Sequence, residues 1–464
     1  MIQLVIVVVY CLAMIVIGLG ARKKVVGQNG FFVAQRRMSL PFITGSLVAT
    51  AIGGSALVVT SELGFGLGLP GVWWLLVGSV GLVILGVFFA RKVRGAALYT
   101  LPELVGMQYD RRVSLAASIL IVVAWVGVVA GQIVAAGSFL SVLGMGSATF
   151  WMVVFTLVVV IYTILGGQFS VIRTDLLQAV IVFIGIFAAL AVVFSRVGGF
   201  SELRASLPSE YFFFPLSPKF DGKTLLSLLI LVGATYVVGP DMYSRLFCAK
   251  GEKTAQQSAI LAAFFFVPLA FAIALIGMGA KVLYPQIASA QAFPQVVSGV
   301  LSPWLGGFIL AAVIAALMSS ADTCLLSQSI ILTQEIFKRF APLSERRTIL
   351  LTRLSLVALA IVALGLALAS KQVYSSLMFA YTIFTCGLVV PVIAGFYKQK
   401  LKVTPHGALA ALIGGGIIGL MGKIPGLEIP LKEDLGLIGF GASAVLLFGV
   451  SFLDLKKSSI RRKK

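Results

Sequence analysis

The segment "AALMSSADTCLLSQSIILTQEIFKRF", residues 315–340, places two adjacent serines, an aspartate and a threonine inside a run long and apolar enough to cross a bilayer. At helical spacing Ala316, Ser319, Ser320 and Thr323 share one face, and Asp322 follows Ser319 by three residues. Hydroxyls beside a carboxylate make an all-oxygen surface. Small hard cations take oxygen ligands, and one or two acids among neutral oxygens suit a monovalent ion such as sodium better than a divalent one. Serines also pack helices and bond to their own backbone, so the pair gains meaning from the acids beside it.

Asp175 and Asp241 also fall within apolar runs, and Glu62 closes the external end of another. A charge at the bilayer centre costs about 2.5–3.5 kcal/mol even on the lenient insertion scale, so each must be paired, hydrated or liganded. Asp175 and Asp322 come out at comparable depth. The reading puts no lysine or arginine at that depth, although Arg173 and Arg353 approach it from the cytoplasmic edge. Two runs carry helix breakers: "SLVATAIGGSALVVTS" with Gly53-Gly54, and "LVGATYVVGPDMYSRLF" with Gly239-Pro240 ahead of Asp241. Breaks there free backbone carbonyls, which membrane depth tolerates only where they line a cavity or bind something. Gly and Pro also serve as packing surfaces and kinks.

The elements that position these residues follow from composition. The chain has 464 residues, 59% hydrophobic and 11% charged, with a mean hydropathy of +1.08. That excludes an ordinary soluble domain and implies an all-α, multi-pass membrane protein. Thirteen spans are expected, at 2–19, 39–61, 72–89, 113–142, 148–165, 170–194, 225–247, 255–282, 304–336, 348–369, 373–396, 404–421 and 435–453. The first has no basic leader and no cleavage signal and reads as a signal anchor.

The net charge of +20 follows the positive-inside rule and does not point to nucleic acid. With the N-terminus outside and the C-terminus cytoplasmic, 28 of the 36 Lys and Arg face the cytoplasm and 8 lie outside. A bacterial inner membrane, as plasma membrane, is the expected location. The four cysteines, in or beside spans, suggest neither a disulfide framework nor a metal site, and the lone His406 reads as a surface residue. No phosphate loop or attached soluble module is present, and no nucleophile–base pair or metal triad lies within the spans, so an ATP-driven pump and a membrane enzyme are both disfavoured. External segments 195–223 and 283–303 read as ordered caps, and 91–112 as carrying an interfacial helix.

The two broken spans are the second and the seventh, five apart, the spacing of inverted-repeat transporters whose interrupted helices flank the binding site. The reading makes 1–464 one transmembrane domain. Residues 39–196 and 224–397 are two five-helix halves with discontinuous helices 2 and 7. A peripheral first helix and loop, 1–38, and two peripheral helices with a basic tail, 398–464, complete it.

The segments "GSLVATAIGGSA", "VIRTDLLQAVIVF", "GPDMYSRLFCAK" and "MSSADTCLLSQSIILTQEIFKRF" together resemble the sodium:solute symporter family over nearly the whole chain. The resemblance implies the inverted-repeat fold of the bacterial leucine transporter. It also implies a main sodium site from the carbonyls of Ala49, Ile52 and Ala316 with the hydroxyls of Ser319 and Ser320. A second ion site would use Asp175, Ser319, Asp322 and Thr323. Asp322 stands where some members have serine, which leaves sodium and a proton as its alternatives. The "AT-x-x-GG" and "MSSAD" patterns are similar to the choline-transporter branch, but its cage tryptophan falls on Ala51, which disfavours a quaternary ammonium. Ile383 stands in place of a sugar-binding glutamine, and the "GPDMYSR" turn aligns with the proline-symporter branch.

Expected solute contacts are Ala51, Ser55, Trp125, Gln132, Asp241 and Tyr381. Asp241 either meets a substrate amine or caps the helix after the break. The expected function is sodium-coupled import of a small organic solute, amino-acid-like or amine-bearing, with one or two Na+, no organic cofactor and no obligatory partner beyond lipid and solute. A proton-coupled carrier of the same fold and a transporter-like channel or sensor are the alternatives.

Overall fold

The computed structural model describes residues 2–22, 27–141, 143–340, 342–370, 372–423 and 431–461. Among these no β-strand forms, and two isolated bridges are the only extended pairings. Helices are what such a sequence can form in lipid, where every backbone polar group must find its partner within its own segment. Among the described residues nine helices are long and apolar enough to span, with a bent pair at 40–51 and 56–67 and shorter apolar helices at 2–17 and 405–421.

The helices that build the site are α1 (Ile2–Arg22), α2 (Leu40–Ala51), α3 (Gly54–Leu67), α4 (Trp73–Ile84), α5 (Leu101–Gln108), α6 (Arg111–Ser141) and α7 (Ala148–Val197). They continue as α8 (Ala234–Val238), α9 (Pro240–Cys248), α10 (Glu252–Leu283), α11 (Ala292–Gly299), α12 (Pro303–Ile331), α13 (Glu345–Ser370) and α14 (Val373–Phe384).

One expectation changes in detail. The spans at 148–165 and 170–194 are joined in α7 without a loop, and only Gly167, with φ 54° and ψ −156°, departs from helical geometry. A left-handed φ of this kind is open to glycine at little cost, which lets the chain turn within one residue. The expected breaks both form. Helices α2 and α3 meet at a 54° bend, and α8 gives way to α9 at Gly239, with ψ 134°. Pro240 opens α9, where a missing N–H costs nothing.

The expected interfacial helix is α5, capped where Thr100 Oγ1 accepts from Glu103 N at 3.1 Å. The segments expected as external caps contain short helices at 200–206, 209–212 and 289–291 together with α11. At the centre stands α12, whose side chains from Ile309 to Ile331 are all buried; it packs against α7, α6 and α1. Helices α3 and α10 approach at glycine. A Cβ on Gly277 would meet the Ser61 carbonyl at 2.1 Å, and one on Gly64 the Ala274 carbonyl at 2.4 Å. Small residues of this kind let membrane helices pack backbone to backbone.

Candidate ion and solute site

Because α2 stops at Ala51, its last carbonyls lack partners four residues on. Helix α12 supplies them. Ser319 Oγ donates to the Ala49 carbonyl at 2.9 Å and lies 3.0 Å from that of Ala316. Ser320 Oγ donates to the Thr50 carbonyl at 2.6 Å and lies 3.3 Å from that of Ala316. The Ala51 carbonyl faces the Tyr236 hydroxyl at 3.3 Å. Ala49, Ala316, Ser319 and Ser320 thus converge at the junction of the broken helix with α12, all buried. Ile52 is buried there too, its N–H bonded to the Val48 carbonyl. The Thr50 carbonyl is a member that sequence reasoning missed, although a helix ending at Ala51 frees it for the same reason as Ala49. These neutral oxygens fit an alkali cation, since a carbonyl directs one lone pair at a metal while the other accepts a hydrogen bond, and hydroxyls turn their hydrogens away.

Beside this junction lies the largest correction. Arg245 is fully buried at the depth where no lysine or arginine was expected. Its Nη2 lies 3.0 Å from Asp175 Oδ2, with both side chains shielded from solvent. Arg245 Nε donates to Ser46 Oγ at 3.0 Å, Nη1 to Ser244 Oγ at 3.1 Å and Nη2 to Thr50 Oγ1 at 3.0 Å, and Nη2 also donates to Thr323 Oγ1. Ser46 Oγ donates to Asp175 as well. Asp322 Oδ1 is 3.0 Å from Thr323 Oγ1, and its Oδ2 accepts from the Tyr162 hydroxyl. The expected second-site residues Asp175, Asp322 and Thr323 are therefore brought together with Ser319, whose carbonyl accepts from Thr323 at 2.6 Å. A guanidinium stands among them. The signal available in the sequence was the one-turn spacing of Asp241 and Arg245 in "GPDMYSR", which puts both on one face of α9.

A narrow cavity of about 30 Å³ lies between the two breaks, lined by Ala51, Trp125, Gln132, Asp241 and Tyr381. That volume holds about two waters, so a solute needs the helices to part. Five of the six expected solute contacts line it, and the side chain of Ser55 lies outside the described residues. Trp74 and Tyr236 complete an aromatic wall that sequence reasoning did not supply, with Trp125 stacked edge-on to Phe384 at 4.4 Å. The lining includes Ser320, so solute and ion regions share a wall, and among the described residues it contains one carboxylate and no basic side chain.

Comparison with known proteins bears on this geometry. A sequence model of the sodium:solute symporter family matches residues 31–415. The chain is 26% identical to the high-affinity proline transporter PutP of Bacillus subtilis, over 95% of this chain and 96% of that one. It is 26% identical to the high-affinity choline transporter 1 of Drosophila melanogaster, over 97% of this chain and 77% of that one. A solved structure of a Na+-coupled sialic acid symporter, in a substrate-bound outward-open state, superposes with a TM-score of 0.84 at 19% identity over 98% of each chain. At that identity the likeness is one of fold.

Proposed function

The chain belongs to the sodium:solute symporter family, and from that premise we propose that it imports a small, amine-bearing organic solute of amino-acid-like size on the sodium gradient, by alternating access. It is a multi-pass membrane transporter and not an enzyme. The observation that carries the reading is the pair of hydroxyls of Ser319 and Ser320 on the freed carbonyls of Ala49 and Thr50. A cation bound there joins the broken helix to α12, and an ion drives a conformational switch only through its different affinity for the two states. Sodium therefore favours the joined, solute-competent form, and its loss to a low-sodium interior lets the helices separate. The resident ligands would be the carbonyls of Ala49, Ile52 and Ala316 with the hydroxyls of Ser319 and Ser320. The Thr50 carbonyl would assist.

The solute class follows from the cavity wall. One carboxylate, Asp241, faces Trp74, Trp125, Tyr236 and Tyr381 with no basic side chain among the lining. An acid among ring faces attracts an ammonium group by charge and by the ring quadrupoles. Two of the similar proteins are, by name, transporters of proline, a secondary amine, and of choline, a quaternary ammonium. Ala51 lacks the aromatic face expected of a choline cage, but Trp74 and Trp125 restore aromatic surface from other helices. The proposed orientation puts the N-terminus outside, with 28 of 36 basic residues on the cytoplasmic side of a bacterial inner membrane. The proposed halves are 39–196 and 224–397.

Proteoliposomes test this directly. An inward sodium gradient should drive concentrative uptake of labelled proline, choline or another amine identified by thermal shift with and without sodium, since a ligand of the native state raises its stability. Counterflow of the same label should be observed, as a carrier requires and a channel does not. Uptake driven by a pH gradient with sodium absent would overturn the coupling.

A further inference from the structure

Where the spans 69–95 and 373–395 end together, on the side that the proposed orientation makes cytoplasmic, an open cavity of about 520 Å³ shares no residue with the solute cavity. Its size falls within the roughly 300–1,000 Å³ of ligand pockets. The walls come from the helix Ala90–Gly95, the second half of α5 and residues 395–400.

Its chemistry is one-sided. Lys92, Lys398 and Lys400 line it, and no carboxylate does. Lys92 Nζ sits 4.2 Å from the Tyr397 ring centroid and 5.9 Å from that of Phe396, and Lys398 Nζ 5.6 Å from that of Tyr109. A ring face attracts an ammonium but carries no net charge, so these positive charges are not cancelled. The four ion pairs among the described residues engage other groups. Gln108 is an independent sign of a ligand. It is 7% exposed and lines the cavity. Its Nε2 donates to the Val392 carbonyl at 3.4 Å, while its Oε1 has no hydrogen-bond partner. Buried amide oxygens are ordinarily satisfied. The cavity thus suits a molecule that is anionic and also offers a hydrogen-bond donor.

The surroundings favour a lipid. Val83, Ile84, Val87 and Phe88 are exposed on the span that leads to the cavity, and Phe88 precedes Lys92 by four residues. Exposed apolar side chains on a spanning helix face acyl chains. Phe89 packs on Phe396 at 5.1 Å, which joins this span to the cavity wall. We propose that the cavity binds the head group of an anionic glycerophospholipid of the phosphatidylglycerol type. The lysines hold the phosphodiester, a glycerol hydroxyl donates to Gln108 Oε1, and an acyl chain lies along residues 83–88. Basic pockets between membrane helices recognise such head groups. Phosphatidylcholine would bring a quaternary ammonium, without a donor, to three like charges. Phosphatidic acid lacks the glycerol hydroxyl. Free glycerol 3-phosphate has the head-group chemistry but no chain to lay on the apolar strip. This assignment stands apart from the transport reading.

Thermal stability of the purified full chain in an uncharged detergent tests it, since a ligand of the native state raises the melting temperature saturably. Dioleoylphosphatidylglycerol should do so, and dioleoylphosphatidylcholine and glycerol 3-phosphate should not. Lys92→Gln with Lys398→Gln and Lys400→Gln should raise the half-saturating lipid concentration about tenfold or more. The three arginine replacements should leave it within about threefold. Wild type should prefer phosphatidylglycerol to phosphatidic acid by about threefold, and Gln108→Leu should abolish that preference. Lys250→Gln with Arg346→Gln and Arg347→Gln removes equal charge elsewhere. An equal loss there would show general attraction to anionic lipid and overturn the proposal. An equal shift with glycerol 3-phosphate would overturn the lipid as occupant, and a preference that survives Gln108→Leu would overturn the hydroxyl contact. If the triple glutamine variant is not monodisperse, Lys92→Gln with Lys400→Gln, both at exposed positions, decides by the same readout. None of these outcomes touches sodium coupling, which is read by uptake.

Discussion

Gly53→Ala perturbs the ion junction while leaving every proposed ligand in the chain. A Cβ at Gly53 would lie 2.4 Å from Ser320 Oγ and 3.0 Å from Gln132 Nε2. To reach ordinary contact the Ser320 hydroxyl must retreat by about 1 Å. It has little room to do so, being held 2.6 Å from the Thr50 carbonyl and 3.3 Å from that of Ala316, and a jump to another staggered rotamer abandons at least the first contact. Leaving a buried carbonyl without its donor costs about 1–3 kcal/mol. If the same hydroxyl is a sodium ligand, that loss appears as a rise in the sodium Kd of roughly 5- to 140-fold. Sodium titration of 22Na+ binding, and of solute uptake in proteoliposomes, should both show the rise. Gly66→Ala is the control, since it lies in α3 with nothing within 4 Å of its added methyl. A monodisperse Gly53→Ala protein with a sodium Kd within twofold of wild type would refute the placement of Ser320 at the ion.

The other expectations concern the neighbouring groups. Ser319→Ala should raise the sodium concentration for half-maximal uptake about tenfold or more, by the same hydrogen-bond arithmetic; an unchanged sodium dependence would remove it from the site. Asp241→Asn should weaken transport of an amine far more than sodium binding, as uptake and 22Na+ titrations on one preparation would show, and equal losses would speak against the amine contact. Trp74→Ala should raise the KM for a cationic solute by roughly 2- to 30-fold, the range of a cation–π contact worth about 0.5–2 kcal/mol. Arg245→Met leaves Asp175 buried and unpaired, which should cost about 3–5 kcal/mol and lower the melting temperature measurably. Restoring neutrality with Asp175→Asn in the same chain should recover part of that loss.

The sequence by itself determined what depends on local order along the chain. Apolar runs mark helices because lipid leaves the backbone no other way to satisfy its hydrogen bonds. Gly53-Gly54 and Gly239-Pro240 mark the breaks, because a residue without a side chain or without an N–H weakens a helix wherever it stands. Ser319 and Ser320 share a face with Ala316 and Thr323 through helical period alone, and the lost carbonyl partners of Ala49 follow from the same period.

Only the tertiary structure decided which residues from different helices meet. No arginine was expected at the depth of Asp175, but the break at Gly239 starts a new helix, α9, and there residue number no longer measures depth. The Arg245 guanidinium therefore ends beside Asp175 at 3.0 Å, from helices 70 positions apart in sequence. Trp74 and Tyr236 are ordinary aromatic residues of apolar helices until packing brings them to the same cavity as Asp241. Residue spacing fixes which face of a helix a side chain occupies, whereas the partner of that face depends on how whole helices tilt and pack.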